Sequence, residues 1–256
     1  MIKKRINDKK YSANLDKIVK IFSSPSELAM NFAEEMFQMI SGSAKKNEPF
    51  TIALSGGSTP EILFNLLSEK YADSIDWKYV HFFWGDERCV PADNNESNFG
   101  MTQSTLLSKI NIPSGNIHRI IGEADPVKEA IRYSEEIFIN TDNRDGVPLF
   151  DLIILGLGED GHTASIFPGY LEYFESEEVC IVASHPVTGQ KRISITGRVI
   201  NNARRIVFLV TGSKKRTIVK KMFKKDPASL NYPAAHVVPV YGSLSWFLDK
   251  AAGEDI

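Results

Sequence analysis

The sequence predicts an α/β protein: a three-layer α/β/α fold, one domain over residues 1–256, around a mostly parallel, Rossmann-like sheet with a few shorter strands. Short apolar runs rich in Val, Ile, Leu and Phe recur along the chain, segments of helical period separate them, and turn residues bound them. That alternation is the pattern of a parallel sheet covered by helices.

Ile18 to Phe22 is the first expected strand. Ser24-Pro25-Ser26-Glu27 then has capping-box spacing with proline at the first helical position, and opens a helix that buries Leu28, Phe32, Met36, Met39 and Ile40. Ser43 to Glu48 is its polar exit. Phe50 to Leu54 is the second strand, and Ser55-Gly56-Gly57-Ser58-Thr59-Pro60-Glu61 feeds a second helix. There Ser58 and Glu61 repeat the capping spacing ahead of Ile62, Leu63, Leu66 and Leu67. Tyr79 to Trp84 is a third buried strand. Gly85-Asp86-Glu87-Arg88-Cys89-Val90-Pro91 follows it, then a polar loop from Ala92 to Asn98 and a helix over Met101 to Leu107. Asp151 to Leu155 and Arg204 to Val210 complete the main strands. Shorter ones are expected at Ile117 to Ile121, Ile181 to Ala183, Arg192 to Thr196 and Ala235 to Val238, while Asn140 to Pro148 reads as a loop. No repeat, low-complexity tract or linker divides the chain.

Thirty Lys+Arg against 32 Asp+Glu leave a net charge of -2, without the basic excess of a general nucleic-acid binder. The charged start, Met1 to Asp8, leads into no apolar signal segment, and no window nears the ~18 apolar residues of a membrane span. The expectation is a cytoplasmic protein. Cys89 and Cys180 lie outside any C-x-x-C spacing and read as packing residues. His81, His118, His185 and His236 form no metal-ligand spacing with His162, so no metal is expected.

Ligands of open α/β sheets lie beyond the carboxyl ends of the strands, so the chemistry belongs in the loops leaving Leu54, Trp84, Leu155 and Val210. The first carries hydroxyls and free N–H groups at a helix start, suited to a phosphate or a sugar oxyanion; a tight strand-to-helix turn is the plainer alternative. A mononucleotide P-loop is excluded, because G-x-x-x-x-G-K-[ST] is absent. After Trp84, the ionisable groups Asp86, Glu87 and Arg88 fit a structural salt bridge and a site equally well. After Val210, Gly212-Ser213-Lys214-Lys215-Arg216 places cations at a helix start, the wrong sign for its dipole unless an anionic ligand lies between them. Lys220, Lys221, Lys224 and Lys225 read as a solvated face. No aromatic platform interleaves them, which argues against nucleic acid.

The loop after Leu155 begins Gly156-Leu157-Gly158-Glu159-Asp160-Gly161, the G-x-G-x-x-G spacing of a dinucleotide site. Such a site needs a long helix after its third glycine. Thr163-Ala164-Ser165-Ile166-Phe167 allows little more than one turn before Pro168-Gly169. The loop therefore serves to present side chains, and neither NAD nor NADP is expected. Asp160 and His162, either side of Gly161, can face one cavity as a base and its neighbour.

Leu54-Ser-Gly-Gly-Ser-Thr-Pro60, Trp84-Gly-Asp-Glu-Arg88, Ser97-Asn98-Phe99-Gly100, Gly156 to Pro168, Arg192-Ile-Ser-Ile-Thr196, Val210-Thr-Gly212 with Lys215, and Trp246 to Ala252 together resemble the glucosamine-6-phosphate isomerase/6-phosphogluconolactonase family. The Gly-Asp-Gly-His part of the loop is shared with glucosamine-6-phosphate deaminases. Thr163 to Pro168 and Trp84 to Arg88 are the lactonase-like parts. The resemblance implies hydrolysis of 6-phospho-D-glucono-1,5-lactone to 6-phospho-D-gluconate in the pentose phosphate pathway, with no cofactor or metal. It implies His162 as base, Asp160 orienting it, and Arg88, Arg192 and Lys215 as cations for phosphate or oxyanion. Gly56 and Gly57 N–H groups and the Ser55, Ser58 and Thr59 hydroxyls would cradle the substrate. The implied partner is the small sugar-phosphate lactone, with no nucleic acid or membrane, and the chain a monomer or weak homo-oligomer. Gln190-Lys191 stands where the family usually has proline and glutamate, and the basic run Lys214-Lys215-Arg216 leaves Lys214 and Lys215 both open. A deaminase or isomerase would carry Ile-Ala-Phe-Asn-Glu after Gly-His. A non-catalytic sugar-phosphate sensor would carry a helix-turn-helix, for which the residues before the first strand are too few.

Overall fold

The computed structural model describes residues 18–256; the charged start expected to carry no signal segment lies outside the described residues. Among the described residues the strands are β1 (Ile18–Phe22), β2 (Phe50–Leu54), β3 (Val80–Trp84), β4 (Asp86–Arg88), β5 (Ile117–His118), β6 (Asp142–Arg144), β7 (Val147–Leu149), β8 (Leu152–Leu155), β9 (Cys180–Ser184), β10 (Lys191–Ile195), β11 (Arg205–Val210) and β12 (Ser243–Asp249). The α-helices are α1 (Pro25–Ala44), α2 (Ser58–Lys70), α3 (Asn98–Thr105), α4 (Pro126–Asn140), α5 (Gly197–Asn202), α6 (Arg216–Phe223) and α7 (Lys250–Gly253). No described helix is long and apolar enough to cross a membrane.

The runs that are apolar on both faces become the middle of the sheet: every residue of β2 and β8 is buried. Seven strands pair in the order β1-β12-β11-β8-β2-β3-β5, all parallel. The chain steps outward from β2 through β3 to β5, then returns to lay β8 on the other flank of β2 and continues to β11 and β12. This reversal opens a crevice above β2 and β8, where an open α/β sheet takes its ligand. A three-stranded antiparallel sheet, β4-β10-β9, adjoins the crevice. Gly85 hinges it to the main sheet, donating its N–H to Leu54 O (2.8 Å) and accepting from Ile195 N (2.9 Å).

Local signals explain the helix starts. Ser24 Oγ accepts from Glu27 N at 3.2 Å and Pro25 opens α1, whose Leu28, Phe32, Met36 and Ile40 are buried. Glu27 reaches back one residue farther than a capping box requires, accepting from Ser23 N at 2.7 Å. Ser58 is not a cap: Gly57, at φ 106, precedes α2 without a side-chain cap bond, and Ser58 is already helical. Cys180 is buried in the core, where desolvation pushes its thiol up to about 12, and Cys89 packs half-buried against the same core. Both pack as expected.

Several segments differ from the sequence reading. Ala235 to Val238 is not a strand; Pro233 opens a 3-10 turn through His236, and Ala234 N donates to Gly161 O at 3.0 Å. Ile117 to Ile121 pairs only through Ile117 and His118, because Ile121 N donates to the Glu129 carboxylate at 2.7 Å. Asn140 to Pro148 holds the β6–β7 hairpin, turning through Asp145 and Gly146 at φ 53 and 75, the Asp-Gly signal of a two-residue turn. β4 and β12 had no counterpart among the expected strands.

Tyr133 of α4 fixes the end of β3. Its hydroxyl accepts from Trp84 N at 2.8 Å and donates to Trp84 O at 3.0 Å, entirely out of water, and burial pushes its phenol up. Tyr133→Phe leaves both backbone groups unpaired, so the urea midpoint should fall by an amount worth about 2 kcal/mol with an unchanged m-value. A midpoint equal to the parent's would contradict this role.

Candidate active site

The loops leaving β2, β3 and β8 and the turn before α6 meet above the crevice around a cavity of about 410 Å³. Ser55, Gly56, Gly57, Arg88, His162, Arg192 and Lys215 line it, with Asp86, Asn98, Gly156 to Glu159 and Ala164. Hollows of about 710 and 960 Å³ lie elsewhere. The first is at the amino ends of β2 and β3, where Arg204 is already paired with Asp142 and Asp151; the second is lined by Phe174, Leu230, Val238 and Val240. Neither joins a glycine loop to a helix start, which makes the smaller cavity the candidate site.

Ser58 and Thr59 do not line it. Their helical register turns Ser58 to solvent and buries Thr59, whose Oγ1 lies 2.7 Å from Thr211 Oγ1 and ties α2 to the loop after β11. Asp160 also lies off the wall, in contact with His162. Its Oδ1 accepts from His162 Nδ1 at 2.6 Å and from His162 N at 3.1 Å. Because a carboxylate only accepts, Nδ1 carries the hydrogen and Nε2 keeps its lone pair. Desolvation acts to raise the Asp160 carboxyl, but the hydrogen bond and charge of His162 prevail and bring it to about 2.

The glycines make room for this pair. A Cβ on Gly158 would lie 2.1 Å from His162 Nδ1 and 2.5 Å from Asp160 Oδ1. Gly161 sits at φ 88, and a Cβ there would lie 2.5 Å from the Tyr232 ring. Not even the one turn allowed by the sequence follows. Ala164 is at φ 47, Thr163 bridges to Ile166, and Ser165 is pinned by its N to Ser194 Oγ (3.1 Å) and its Oγ to Asp86 Oδ2 (2.5 Å). The dinucleotide spacing thus packs an acid–base pair with no helix dipole behind it.

Glu87 resolves the ambiguity after Trp84. Buried, it accepts from Arg88 N, Asn98 N, Phe99 N and Ser97 Oγ at 2.8, 2.8, 2.7 and 3.0 Å, capping α3 across space. Desolvation nonetheless pushes its carboxyl up. Glu87 is structural, while its neighbours Asp86 and Arg88 face the cavity. Asn98, expected at the end of a polar loop, donates Nδ2 to Asp86 O at 2.8 Å and sets Oδ1 only 1.8 Å from where a Gly56 Cβ would stand. Its local signals are the cap at Ser97, whose side chain accepts from Gly100 N, and the Ser97-Asn98-Phe99-Gly100 stretch.

The cations are placed against their own electrostatics. Arg88 and Arg192 are directly opposed in the β4–β10 ladder, where like charges repel, and both Nε atoms are buried without a partner among the described residues. Arg88 Nη1 donates to Glu96 O. Arg192 Nη2 is 3.5 Å from Gln190 Oε1, and Gln190 Nε2 donates to Glu96 at 2.9 Å. Burial pushes the Arg192 guanidinium down against the attraction of Asp86, and pushes the Lys215 amine down against Glu159 and Asp160. Lys214 is 80% exposed and pairs with Glu159 at 3.8 Å, so of the two lysines Lys215 faces the cavity. The wall can hold a multiply charged anion beside the His162 imidazole.

Residues 23–246 match the family model described as glucosamine-6-phosphate isomerases/6-phosphogluconolactonase. The chain is 48% identical over 207 residues to a 6-phosphogluconolactonase of Haemophilus influenzae, covering 80% of this chain and 87% of that one. It is 43% identical over 227 residues to that of Aggregatibacter actinomycetemcomitans, covering 88% and 96%. The solved structure of 6-phosphogluconolactonase from Trypanosoma brucei superposes with a TM-score of 0.86 at 29% identity, over 94% of this chain and 99% of that one. With the parallel sheet, the crevice and the glycine-histidine loop in place, the chain belongs to the glucosamine-6-phosphate isomerase/6-phosphogluconolactonase family.

Proposed function

We propose that the protein hydrolyses 6-phospho-D-glucono-1,5-lactone to 6-phospho-D-gluconate, in the cytoplasm and without a metal or cofactor. The observation that carries this is the Asp160–His162 pair at 2.6 Å, which leaves Nε2 basic in a cavity walled by Arg88, Arg192 and Lys215. A lactone is an activated ester; it asks for a positioned base and an anchored phosphate. Nε2 of His162 takes a proton from the water whose oxygen bonds to C1. The tetrahedral intermediate then collapses, the bond from C1 to the ring oxygen breaks, and the imidazolium returns its proton to that oxygen. Asp160, ionised throughout, stabilises the imidazolium between the two transfers. The N–H groups at Gly56 and Gly57 and the three cations receive the phosphate and the substrate oxygens. Between Thr163 and Pro168 there is no carboxylate, where a deaminase would carry a glutamate.

His162→Ala should lower kcat by ~10²–10⁴ and leave KM nearly unchanged. In the parent, kcat/KM should fall toward acid as one proton binds His162, since Asp160, at about 2, stays ionised across that range. Initial rates on freshly generated lactone, corrected for spontaneous hydrolysis, decide both; a near-parental rate in His162→Ala removes the histidine from the mechanism.

Arg88→Ala, Arg192→Ala and Lys215→Ala should each raise KM for the phosphorylated lactone about tenfold or more, with little effect on unphosphorylated gluconolactone. Equal losses on the two substrates would move these cations to the carbonyl end.

A further inference from the structure

Phe167 is 1% exposed, yet it stands apart from the main core, in a small cluster with Ile181 and Ala183 of β9 and the edge of Tyr173. Three nitrogen-bearing side chains from different segments converge on its ring. The His162 imidazole centroid is 4.9 Å away and tilted by 50°, the Arg192 guanidinium carbon is 5.6 Å from the ring centre, and His185 meets it edge-on at 5.2 Å. Hydrogen bonds alone fix neither cavity-lining group. Asp160 holds one nitrogen of His162 and leaves the ring free to swing about that contact. Arg192 has an unpaired Nε and only a 3.5 Å contact from Nη2 to Gln190. The Phe167 backbone cannot retreat, because Ser165 is pinned to Ser194 and Asp86 and Phe167 O accepts from Tyr170 N at 3.1 Å.

We infer that Phe167 is a positioning residue for the reaction: its ring holds the His162 imidazole with Nε2 toward the cavity, lends its electron-rich π system to the charge His162 gains on taking the proton, and steadies Arg192 for the anionic substrate. This rests on the lactonase reading. His162 is faced by Asp160 and Glu159 from its own loop, by Asp86 and Arg88 from β4, by Arg192 from β10 and by Lys215 at the start of α6. Lys214 is paired with Glu159. His185, across the Phe167 ring, accepts from Val187 N and Thr188 N on Nδ1, each at 3.2 Å, which fixes the ring in its turn. A change of ring electronics at position 167 leaves all of these in place.

The test pairs Phe167→Leu with pentafluorophenylalanine incorporated at position 167, which keeps the ring's outline and inverts its quadrupole; Phe167→Tyr is the conservative control. Two quantities are read: kcat/KM on the lactone against pH, and the His162 imidazole titration by NMR without substrate. Phe167→Leu should lower kcat/KM about tenfold, and both it and the fluorinated protein should lower the imidazole midpoint by about half a pH unit, moving the acid limb the same way. Phe167→Tyr should stay near the parent in both. Should Phe167→Leu fail to fold, the fluorinated protein still gives the midpoint. An active parent whose midpoint is unchanged in the fluorinated protein, or a Tyr variant as impaired as Leu, overturns the role of the ring. A parent inactive on the lactone overturns the reading beneath it, whatever the midpoints do.

Discussion

One carboxylate oxygen, Asp160 Oδ1, takes two hydrogens from the same residue, the backbone N–H and the Nδ1–H of His162, and the site is arranged around that double contact. To receive both, the chain must fold back within two residues, which Gly161 allows at φ 88. The space under the pair must be empty of side chain, which Gly158 provides. The segment beyond the histidine must not run on as a helix, so it is tied instead to Ser194 and Asp86 on the small sheet. A loop with the spacing of a dinucleotide site is in this way committed to holding one imidazole in one tautomer.

The opposite wall is built by half-burying cations that form no ion pair among the described residues. Arg88 and Arg192 oppose each other across a ladder, and Lys215 loses water without gaining a close anionic partner of its own. Such a cluster weakens the unliganded fold and is offset by neighbours that are fully satisfied. Glu87 gathers four donors beneath it, Tyr133 closes both polar groups of Trp84, and Asp249 accepts from Gly212 N at 3.0 Å and from Ala252 N at 2.8 Å to hold the loop after β11. The unfavourable electrostatics sit where a phosphate can relieve them, on a framework whose own polar groups are paired.

The sheet and the place of the Asp160–His162 pair were legible because their signals are local: apolar runs at β2 and β8, and a histidine closing a glycine-rich loop. What was not legible depends on contacts between distant segments. Ser58 and Thr59 looked like ligands because the helix start is one residue earlier than the capping pattern places it, and that shift turns both away. Glu87 was open between a salt bridge and a site, because the partners that settle it come from Ser97, Asn98 and Phe99. β12 escaped notice because Ser243 and Ser245 interrupt its apolar pattern, and it becomes a strand by lying between β1 and β11. The Asp145-Gly146 turn is the exception, a hairpin signal that is local and lies inside a stretch expected to be a loop.

The most direct measurement is a crystal structure of the complex with 6-phosphogluconate, the product. The phosphate should lie among Arg88, Arg192, Lys215 and the amino end of α2, with the C1 carboxylate within hydrogen-bond reach of His162 Nε2. A product bound the other way round, with its phosphate against the imidazole and its carboxylate among the cations, or bound outside this cavity, would contradict it.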